Sequence, residues 1–132
     1  MNEFIDPPGL AAPRGYTHVV RSTAVRAVVT VSGQVAYDAA GAVVGVGDLR
    51  RQTEVVYENV GKALAAAGAS WADVVKTTIL ILDMTPEKIA TVREVRKRFV
   101  SASSPPASTL VSVGALAHPD LLIEVEATAM LG

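Results

Sequence analysis

The stretch from Val74 to Leu82 constrains the fold of this chain more than any other segment. It contains neither glycine nor proline, and most of its side chains are valine, threonine, isoleucine or leucine. A run of this kind, with almost no polar–apolar alternation, is typical of a β-strand covered on both faces. Ser70-Trp71-Ala72-Asp73 before it has the spacing of a capping box, and Thr85-Pro86 after it is typical of a helix start. The stretch therefore predicts a buried strand flanked by helical segments.

Two amphipathic helices are predicted, one on each side of this strand. Asp48 stands at the N-cap position of the first helix, and Gly68 ends it just beyond the C-cap. The second helix begins at Thr85-Pro86 and carries a charged side that we expect to be solvated, supported by an i,i+4 pair of Glu94 and Arg98. The predicted buried stripes are Leu49, Thr53, Val56, Val60, Leu64 and Ala67 in the first helix, and Ile89, Val92, Val95 and Phe99 in the second. The remaining charged side of the second helix comprises Arg93, Arg96 and Lys97 in addition to that pair.

Strand-forming segments occupy both ends of the chain. Residues 17 to 35 are rich in valine and threonine and are predicted to form two short strands in a hairpin. Thr109 to Val113 and Leu122 to Met130 are predicted strands near the other end. The predicted order is β-β-α-β-α-β-β, an α+β fold with a mixed sheet and both helices on one face, built as a single domain over residues 1–132. The other face of the sheet is left uncovered.

The composition favours an oligomer that acts on small molecules. Half of the residues are hydrophobic, and the mean hydropathy is +0.36. No apolar stretch approaches the roughly 18 residues of a membrane span, and the first residues do not resemble a secretion signal, so we expect a cytoplasmic protein with no membrane partner. The surplus of apolar surface is then expected to lie in contacts between subunits, at the uncovered sheet face.

Charge and residue counts exclude several classes of function. The net charge of −1 gives no long-range attraction for a phosphate backbone, so nucleic acid is a disfavoured partner. The chain has no cysteine and only two histidines, His18 and His118, which leaves no disulfide, thiolate nucleophile or ordinary zinc site. Neither a metal nor another cofactor is predicted.

Glu124 is the strongest candidate for catalysis. It lies within the apolar sequence Leu122-Ile123-Glu124-Val125, where desolvation would raise a carboxyl pKa or require a partner. Glu126 emerges on the same side of the strand about 7 Å away, and such a pair suits acid and base chemistry as well as an ordinary ion pair at a sheet edge. Ser32-Gly33 and Ser108-Thr109 are weaker candidates, since each could bind a ligand or only satisfy a turn.

The residues singled out above resemble the reactive intermediate deaminase family, known as Rid or YjgF, whose members have also been described as L-PSP endoribonucleases. The central stretch from Ala66 to Thr78 is very similar to the family's A-A-G-A-S-x-x-D-V-V-K-T-T, and Ile123 to Ala127 resembles its I-E-I-E-A. The other matching stretches are Gly15 to His18, Val31 to Gln34, Gly47 to Thr53 with Asn59, and Asp83-Met84.

This resemblance implies a fold, an assembly and an activity. The family fold is a chorismate-mutase-like α+β domain, assembled as a homotrimer with a central barrel and a cleft between each pair of subunits. Family members hydrolyse enamines and imines to a carbonyl compound and ammonia without metal or cofactor. Transferred by position, Tyr16 would line the cleft, Ser32 and Gly33 would flank the ligand, and Glu124 would orient or activate water.

One family motif differs in this chain. Ser108 stands where the family's P-x-R-S arginine grips the carboxylate of the substrate, and a hydroxyl supplies no charge. Ser108 and Thr109 would then form an altered anion end of the cleft, and Arg14 or Arg93 are the candidates for replacing the lost cation. The alternatives are a changed substrate, or a non-catalytic trimer that binds a metabolite or has a regulatory role. An endoribonuclease or translation inhibitor is a further alternative, against which the near-neutral charge argues.

Overall fold

The computed structural model describes residues 1–132 as one four-stranded sheet, a separate two-stranded sheet and two α-helices. The helices begin where their sequences predict: Asp48 Oδ1 accepts a hydrogen bond from the Arg51 N–H, and Thr85 Oγ1 accepts one from the Lys88 N–H. The second helix ends at Arg96, before Phe99 of its predicted stripe, and Ala67 of the first predicted stripe is exposed. Gly68 follows the C-cap of the first helix with φ +74°. The elements in chain order are β1 Asn2–Ile5, β2 Val19–Ser22, β3 Ala27–Gln34, α1 Leu49–Ala66, β4 Val74–Leu82, α2 Pro86–Arg96, β5 Ala107–Val113 and β6 Ile123–Leu131, with a 3₁₀ turn over Trp71–Asp73 before β4.

The main sheet has the strand order β3-β6-β4-β5. β4 and β5 are parallel, and α2 forms the crossover between them, whereas β6 is antiparallel to both β3 and β4. This mixed sheet with two helices confirms the predicted α+β fold class, but the predicted element order lacked strand β1 at the N-terminus. The register places Leu80 of β4 opposite Glu124 of β6, and Thr77 of β4 opposite Ser108 of β5.

The two faces of the sheet differ in burial. The side chains of Ile123, Val125, Ala127 and Ala129 on β6 are buried under α1, whereas Glu124 between them is only half-buried. β4 alternates in the same way, so within one chain it is covered on one face rather than on two. We call the side under the helices the helix face and the other the open face, and the expectation of an uncovered sheet face is confirmed.

The predicted hairpin over residues 17 to 35 is wrong. β2 pairs with β1 at the N-terminus, where Ile5 is opposite Val19, and not with β3. The chain turns at Ala24, whose φ is +53°, and the Arg26 N–H then donates to Leu131 O at the end of β6. The Val-rich and Thr-rich composition identified the strands correctly, but their partners come from segments far apart in sequence.

The predicted solvated side of α2 is only partly correct. Glu94 and Arg98 do not pair with each other, because each forms an ion pair with a residue of α1. Arg50 Nη2 is 2.9 Å from Glu94 Oε2, and Arg98 Nη1 is 3.2 Å from Glu54 Oε2. Arg96, also predicted to be solvated, is buried with 6% of its surface exposed. An arginine four residues after Val92 falls on the apolar stripe of the helix, so helix periodicity places it inside.

Candidate functional site

Glu124 lies directly against Gly33 on the open face of the sheet. A β-bulge interrupts the pairing of β3 with β6 between Val31 and Gln34, and Gly33 lies within it. A Cβ at position 33 would be 2.1 Å from Oε1 of Glu124 and 2.8 Å from its Cδ. Only glycine therefore leaves room for the carboxylate where it lies, next to the exposed Ser32.

The Glu124 carboxylate makes no ion pair, and neither does that of Glu126. Glu126 is exposed on the same face and lines a small recess with Lys76 and Thr78. A carboxylate without a cationic partner keeps its lone pairs free for water or a ligand. Glu124 and Gly33, with Ser32, make up what we call the glutamate half of the site.

Most of the other predicted site residues meet around a different cavity. It has a volume of about 340 Å³ and lies between α2, the start of β5 and the loop before β2. Two hydrogen bonds hold that loop to the segment before β5, from the Thr17 N–H to Pro106 O at 3.2 Å and from Thr17 Oγ1 to Pro105 O at 2.6 Å. The lining residues include Arg14, Tyr16, Arg93, Arg96, Ser108 and Thr109, and we call this space the arginine cavity.

The two hydroxyl residues of the arginine cavity already have partners. Ser108 Oγ accepts a hydrogen bond from Thr77 Oγ1 at 2.9 Å, which places the serine on the helix face. Thr109 Oγ1 accepts from Lys76 Nζ at 2.6 Å on the open face. Ser108 is therefore a small, partly satisfied group beside the cavity, and the positive charge there comes from arginines elsewhere in the chain.

Arg96 is the site residue that sequence reasoning missed. Its Nη1 donates to Gly15 O, while Nε and Nη2 are buried without any hydrogen-bond partner in the protein. Burial lowers the pKa of Arg96, Tyr57 raises it to a smaller degree, and Arg93 lowers it further. The signal was present in the sequence, because an arginine on the apolar stripe with Ile89 and Val92 must be buried.

The sheet separates Glu124 from Ser108, although Thr109, which also lines the arginine cavity, has its side chain on the open face. Glu124 is on the open face opposite Leu80, whereas Ser108 is on the helix face opposite Thr77. One chain therefore does not bring the glutamate half and the arginine cavity together.

A larger cavity of about 800 Å³ adjoins Gly33, and its lining includes Arg51, Glu58, Asn59 and Lys62 of α1. No group of three or more histidine, cysteine, aspartate or glutamate side chains lies close enough together to hold a metal ion. No helix is both long and apolar enough to cross a membrane.

Comparison with known proteins identifies the relatives of this chain. The family model described as Endoribonuclease L-PSP matches residues 9–131. The 2-iminobutanoate/2-iminopropanoate deaminase of Mus musculus is 31% identical over 121 residues, which cover 92% of this chain and 87% of the mouse protein.

Solved structures agree with this assignment over nearly the whole chain. The crystal structure of YyfB from Yersinia pestis, a protein of the conserved Rid family, superimposes with a TM-score of 0.89 at 35% identity and covers 98% of both chains. E. coli TdcF with bound serine gives a TM-score of 0.70 at 29% identity, with 98% of this chain and 99% of TdcF covered. On the match of the family model and on this likeness in sequence and structure, the chain belongs to the Rid/YjgF family.

Proposed function

We propose that the protein hydrolyses reactive imines or enamines to a carbonyl compound and ammonia, with Glu124 as the group that activates water. The observation that carries this proposal is the contact of Glu124 with Gly33, which holds an unpaired carboxylate beside open backbone. The name of the mouse relative, 2-iminobutanoate/2-iminopropanoate deaminase, supports the same reaction class.

The reaction requires one water molecule and no redox partner. Water adds to the carbon of the C=N bond while the Glu124 carboxylate accepts its proton. The protonated carboxyl then returns that proton to the nitrogen, which gives a carbinolamine with one hydroxyl and one amino group. The Glu124 carboxylate next accepts the proton of that hydroxyl and passes it to the amino group, so the C–N bond breaks and ammonia leaves as the C=O bond forms. An enamine enters the same sequence as its imine tautomer. A positioned general base typically contributes about 10²- to 10⁴-fold to such a step. In this scheme the protein needs neither a metal nor another cofactor.

We further propose that the working site lies between two subunits of a homotrimer. The sheet keeps Glu124 and the arginine cavity on different sides of one chain, but the open face of one copy can lie beside the edge strand β5 of the next. Ser32, Gly33 and Glu124 would come from one copy, and Arg14, Tyr16, Arg93, Ser108 and Thr109 from its neighbour. The ligand in this cleft would be a small molecule that carries a carboxylate.

The serine at position 108 supports a substrate that differs from those of relatives with an arginine there. Its hydroxyl is bonded to Thr77 and carries no charge, so it cannot form a bidentate pair with a carboxylate. The same observation favours one second candidate, a trimer that binds a small carboxylate without turning it over.

The test measures the rate at which ammonia and oxo acid are released from imines that an amino-acid oxidase generates in the same reaction mixture. For the Glu124→Gln variant we expect a rate about 100-fold or more below that of the wild type. Glu126→Gln is the matched control on the same strand face, and its rate should stay within about twofold, since surface substitutions away from a site have small effects. Equal rates for wild type and Glu124→Gln would remove Glu124 from the reaction, and saturable binding without any turnover would favour the second candidate.

A further inference from the structure

Asn59 of α1 donates two hydrogen bonds to the chain just beyond β3. Its Nδ2 is 3.1 Å from Val35 O and 3.0 Å from Tyr37 O. A side-chain amide nitrogen carries two hydrogens, so these bonds use both of its donors. The orientation of the amide is also fixed, because exchange of Nδ2 with Oδ1 would bring an oxygen against two carbonyl oxygens. Asn59 therefore binds this segment as a donor, through one nitrogen.

The segment that Asn59 binds forms a tight turn, residues 35–37, which we call the β3 turn. The Tyr37 N–H donates to Val35 O at 2.8 Å, and the Val44 N–H donates to Ala36 O at 2.8 Å. Ala36 between them is fully buried. No other side chain donates a hydrogen bond to the backbone of the β3 turn. Asn59 is thus the one side chain whose hydrogen bonds join this turn to α1.

The β3 turn begins directly after the bulge that brings Gly33 to Glu124. The pairing of β3 with β6 resumes at Gln34, which is opposite Val125. Val35 follows Gln34, so the hydrogen bonds at Val35 O fix the end of the strand beyond the bulge. Gly33 directly precedes Gln34, and Glu124 directly precedes Val125. A displacement of Gln34 relative to β6 would therefore also move Gly33 relative to Glu124.

The position of the Glu124 carboxylate depends on where Gly33 lies. The carboxylate makes no ion pair in the chain, so no opposite charge holds it in place. It lies instead where the missing side chain of Gly33 leaves room, within 2.1 Å of the point that a Cβ would occupy. Displacement of a catalytic group by about 1 Å can cost roughly 100-fold in rate. A side chain that fixes Gly33 thereby also controls the carboxylate.

We propose that Asn59 is a positioning residue for the hydrolysis: it fixes the β3 turn and so keeps Gly33 and the Glu124 carboxylate in place. Asn59 acts through the backbone of Val35 and Tyr37 and is not itself a catalytic residue. This inference rests on the proposed function for the reaction that it supports. One of its tests measures the position of the bulge directly, so the positioning role and the hydrolysis can fail separately.

Two substitutions at position 59 distinguish the hydrogen bonds from packing. Asn59→Asp keeps the shape of the side chain but places a carboxylate against two carbonyl oxygens, and we expect kcat to fall about 30-fold or more. Asn59→Ala removes the side chain, and water from the adjoining cavity can bind Val35 O and Tyr37 O in its place. We therefore expect a smaller loss for Asn59→Ala, about fivefold. A loss in Asn59→Ala that equals or exceeds that in Asn59→Asp would mean that position 59 serves packing only, and would overturn the proposal.

The rates are measured as ammonia release, per amount of folded protein, from the imine that an amino-acid oxidase forms from leucine. KM should stay within about threefold in Asn59→Asp, because the substitution affects the chemical step and not the binding of substrate. Glu58→Gln alters the exposed neighbour of Asn59 on α1 and should change kcat less than about twofold. An unchanged kcat in Asn59→Asp would contradict the positioning role.

A double-substitution cycle shows whether Asn59 acts through Glu124. In the Glu124→Gln background, Asn59→Asp should lower the residual rate less than about twofold, because the group that it positions is already removed. A further loss as large as in the wild-type background would show an effect that does not depend on Glu124, and would overturn the proposal. Should Asn59→Asp fail to fold, the same cycle with Asn59→Ala provides the test, with the loss expected in the wild-type background only.

Nuclear magnetic resonance tests the position of the bulge without any measurement of activity. The backbone amide signals of Gly33 and Gln34 should shift in Asn59→Asp and stay in place in Glu58→Gln. Unmoved signals in Asn59→Asp would overturn the role of Asn59 at the bulge. A wild-type rate for Glu124→Gln would instead refute the proposed hydrolysis, and the amide signals would still decide whether Asn59 holds the bulge.

Discussion

At the scale of single residues, the position of the Glu124 carboxylate depends on the side chain that Gly33 lacks. The bulge in β3 brings the two residues together, and the nearest atoms to a Cβ at position 33 are all from the Glu124 side chain. The glutamate can rotate away from such a methyl group towards the open face, so the fold would survive the substitution but the carboxylate would move.

Gly33→Ala should therefore lower the rate of the proposed hydrolysis without unfolding the protein. We expect a loss of roughly 100-fold in kcat/KM, since displacement of a catalytic group by about 1 Å can cost this much. Gly114→Ala is the control, because no atom lies within 4 Å of a Cβ there. Rates measured by ammonia release should fall for the first variant only, and a fully active Gly33→Ala would argue against a role for the observed carboxylate position.

Because of the buried Tyr57, the free energy of unfolding should decrease as the pH rises into the alkaline range. Burial raises its pKa above the ordinary value of 10.0, against a smaller opposing effect of Arg96, and its hydroxyl has no hydrogen-bond partner in the protein. The folded protein retains this proton at a pH where the unfolded chain releases it. The contribution of Tyr57 to the free energy of unfolding is fully present below pH 10.0. It decreases as the pH rises further, because the unfolded state then binds fewer protons than the folded state.

Urea denaturation between pH 9 and 11 tests this effect with Tyr57→Phe. The wild type should lose about 1 kcal/mol more of its free energy of unfolding over this range than the variant does. The variant should also be more stable at neutral pH by about 1 kcal/mol, since an unsatisfied buried hydroxyl is removed. Tyr37→Phe retains Tyr57 and should keep the wild-type slope. Parallel pH profiles for wild type and Tyr57→Phe would contradict the assignment.

The sequence predicted some of these residues and not others for physical reasons. Glu124 stays a predicted catalytic residue, and the sequence singled it out because an acid within an apolar strand is unfavourable without a partner. Helix periodicity alone predicts that Arg96 is buried. The charged residues next to it in the sequence led instead to the prediction of a solvated side. The contact of Gly33 with Glu124 depends on a bulge between strands that are distant in sequence, and no local pattern reveals it.

At the scale of elements, Gln52 joins α1 to the start of β6. It is fully buried, and its Nε2 donates to Gly45 O at 3.2 Å and to Asp120 O at 2.8 Å. Its Oε1 accepts from the Leu122 N–H at 2.8 Å. One side chain thus satisfies three backbone groups, one in the loop before α1 and two in the loop before β6, and fixes where β6 begins.

Gln52→Met should destabilise the protein by about 3 kcal/mol or more, because each buried backbone group left unpaired costs about 1–3 kcal/mol. Chemical denaturation gives the value, with Lys62→Met on the exposed side of α1 as the control. A loss below about 1 kcal/mol would mean that water replaces these hydrogen bonds.

Local signals predicted the elements better than their pairing. The caps at Asp48 and Thr85 and the glycine after α1 are visible in a few adjacent residues, and they appear in the structure as expected. β2 has the composition of a strand, but nothing within it specifies β1 rather than β3 as its partner. Strand pairing is decided by contacts between distant segments, which composition does not encode.

At the scale of the whole molecule, the open face of the sheet is where we place the contact between subunits. Val111 on β5 lies opposite Leu80, in register with Glu124 on β6, and 38% of its surface is exposed. An apolar face next to the glutamate half would be covered by the neighbouring copy in the proposed trimer.

Val111→Glu should therefore convert the proposed trimer to monomers, because a carboxylate on this face would be buried on association. Light scattering after gel filtration gives the mass of each species. Val46→Glu alters an equally apolar residue that is 63% exposed in the loop before α1, and should leave the mass unchanged. A wild type that runs as a monomer would remove the basis for a shared cleft.

Complementation between inactive chains distinguishes a cleft shared by two subunits from a site within one chain. One chain carries Glu124→Gln, and the other carries Tyr16→Ala with Arg93→Ala, so that each disables a different half of the site. If every cleft takes one half from each of two neighbours, an equal mixture of refolded trimers should recover about one quarter of wild-type ammonia release, because a mixed cyclic trimer contains a single intact cleft. Activity that stays at the level of the two separate variants would contradict a site shared between subunits.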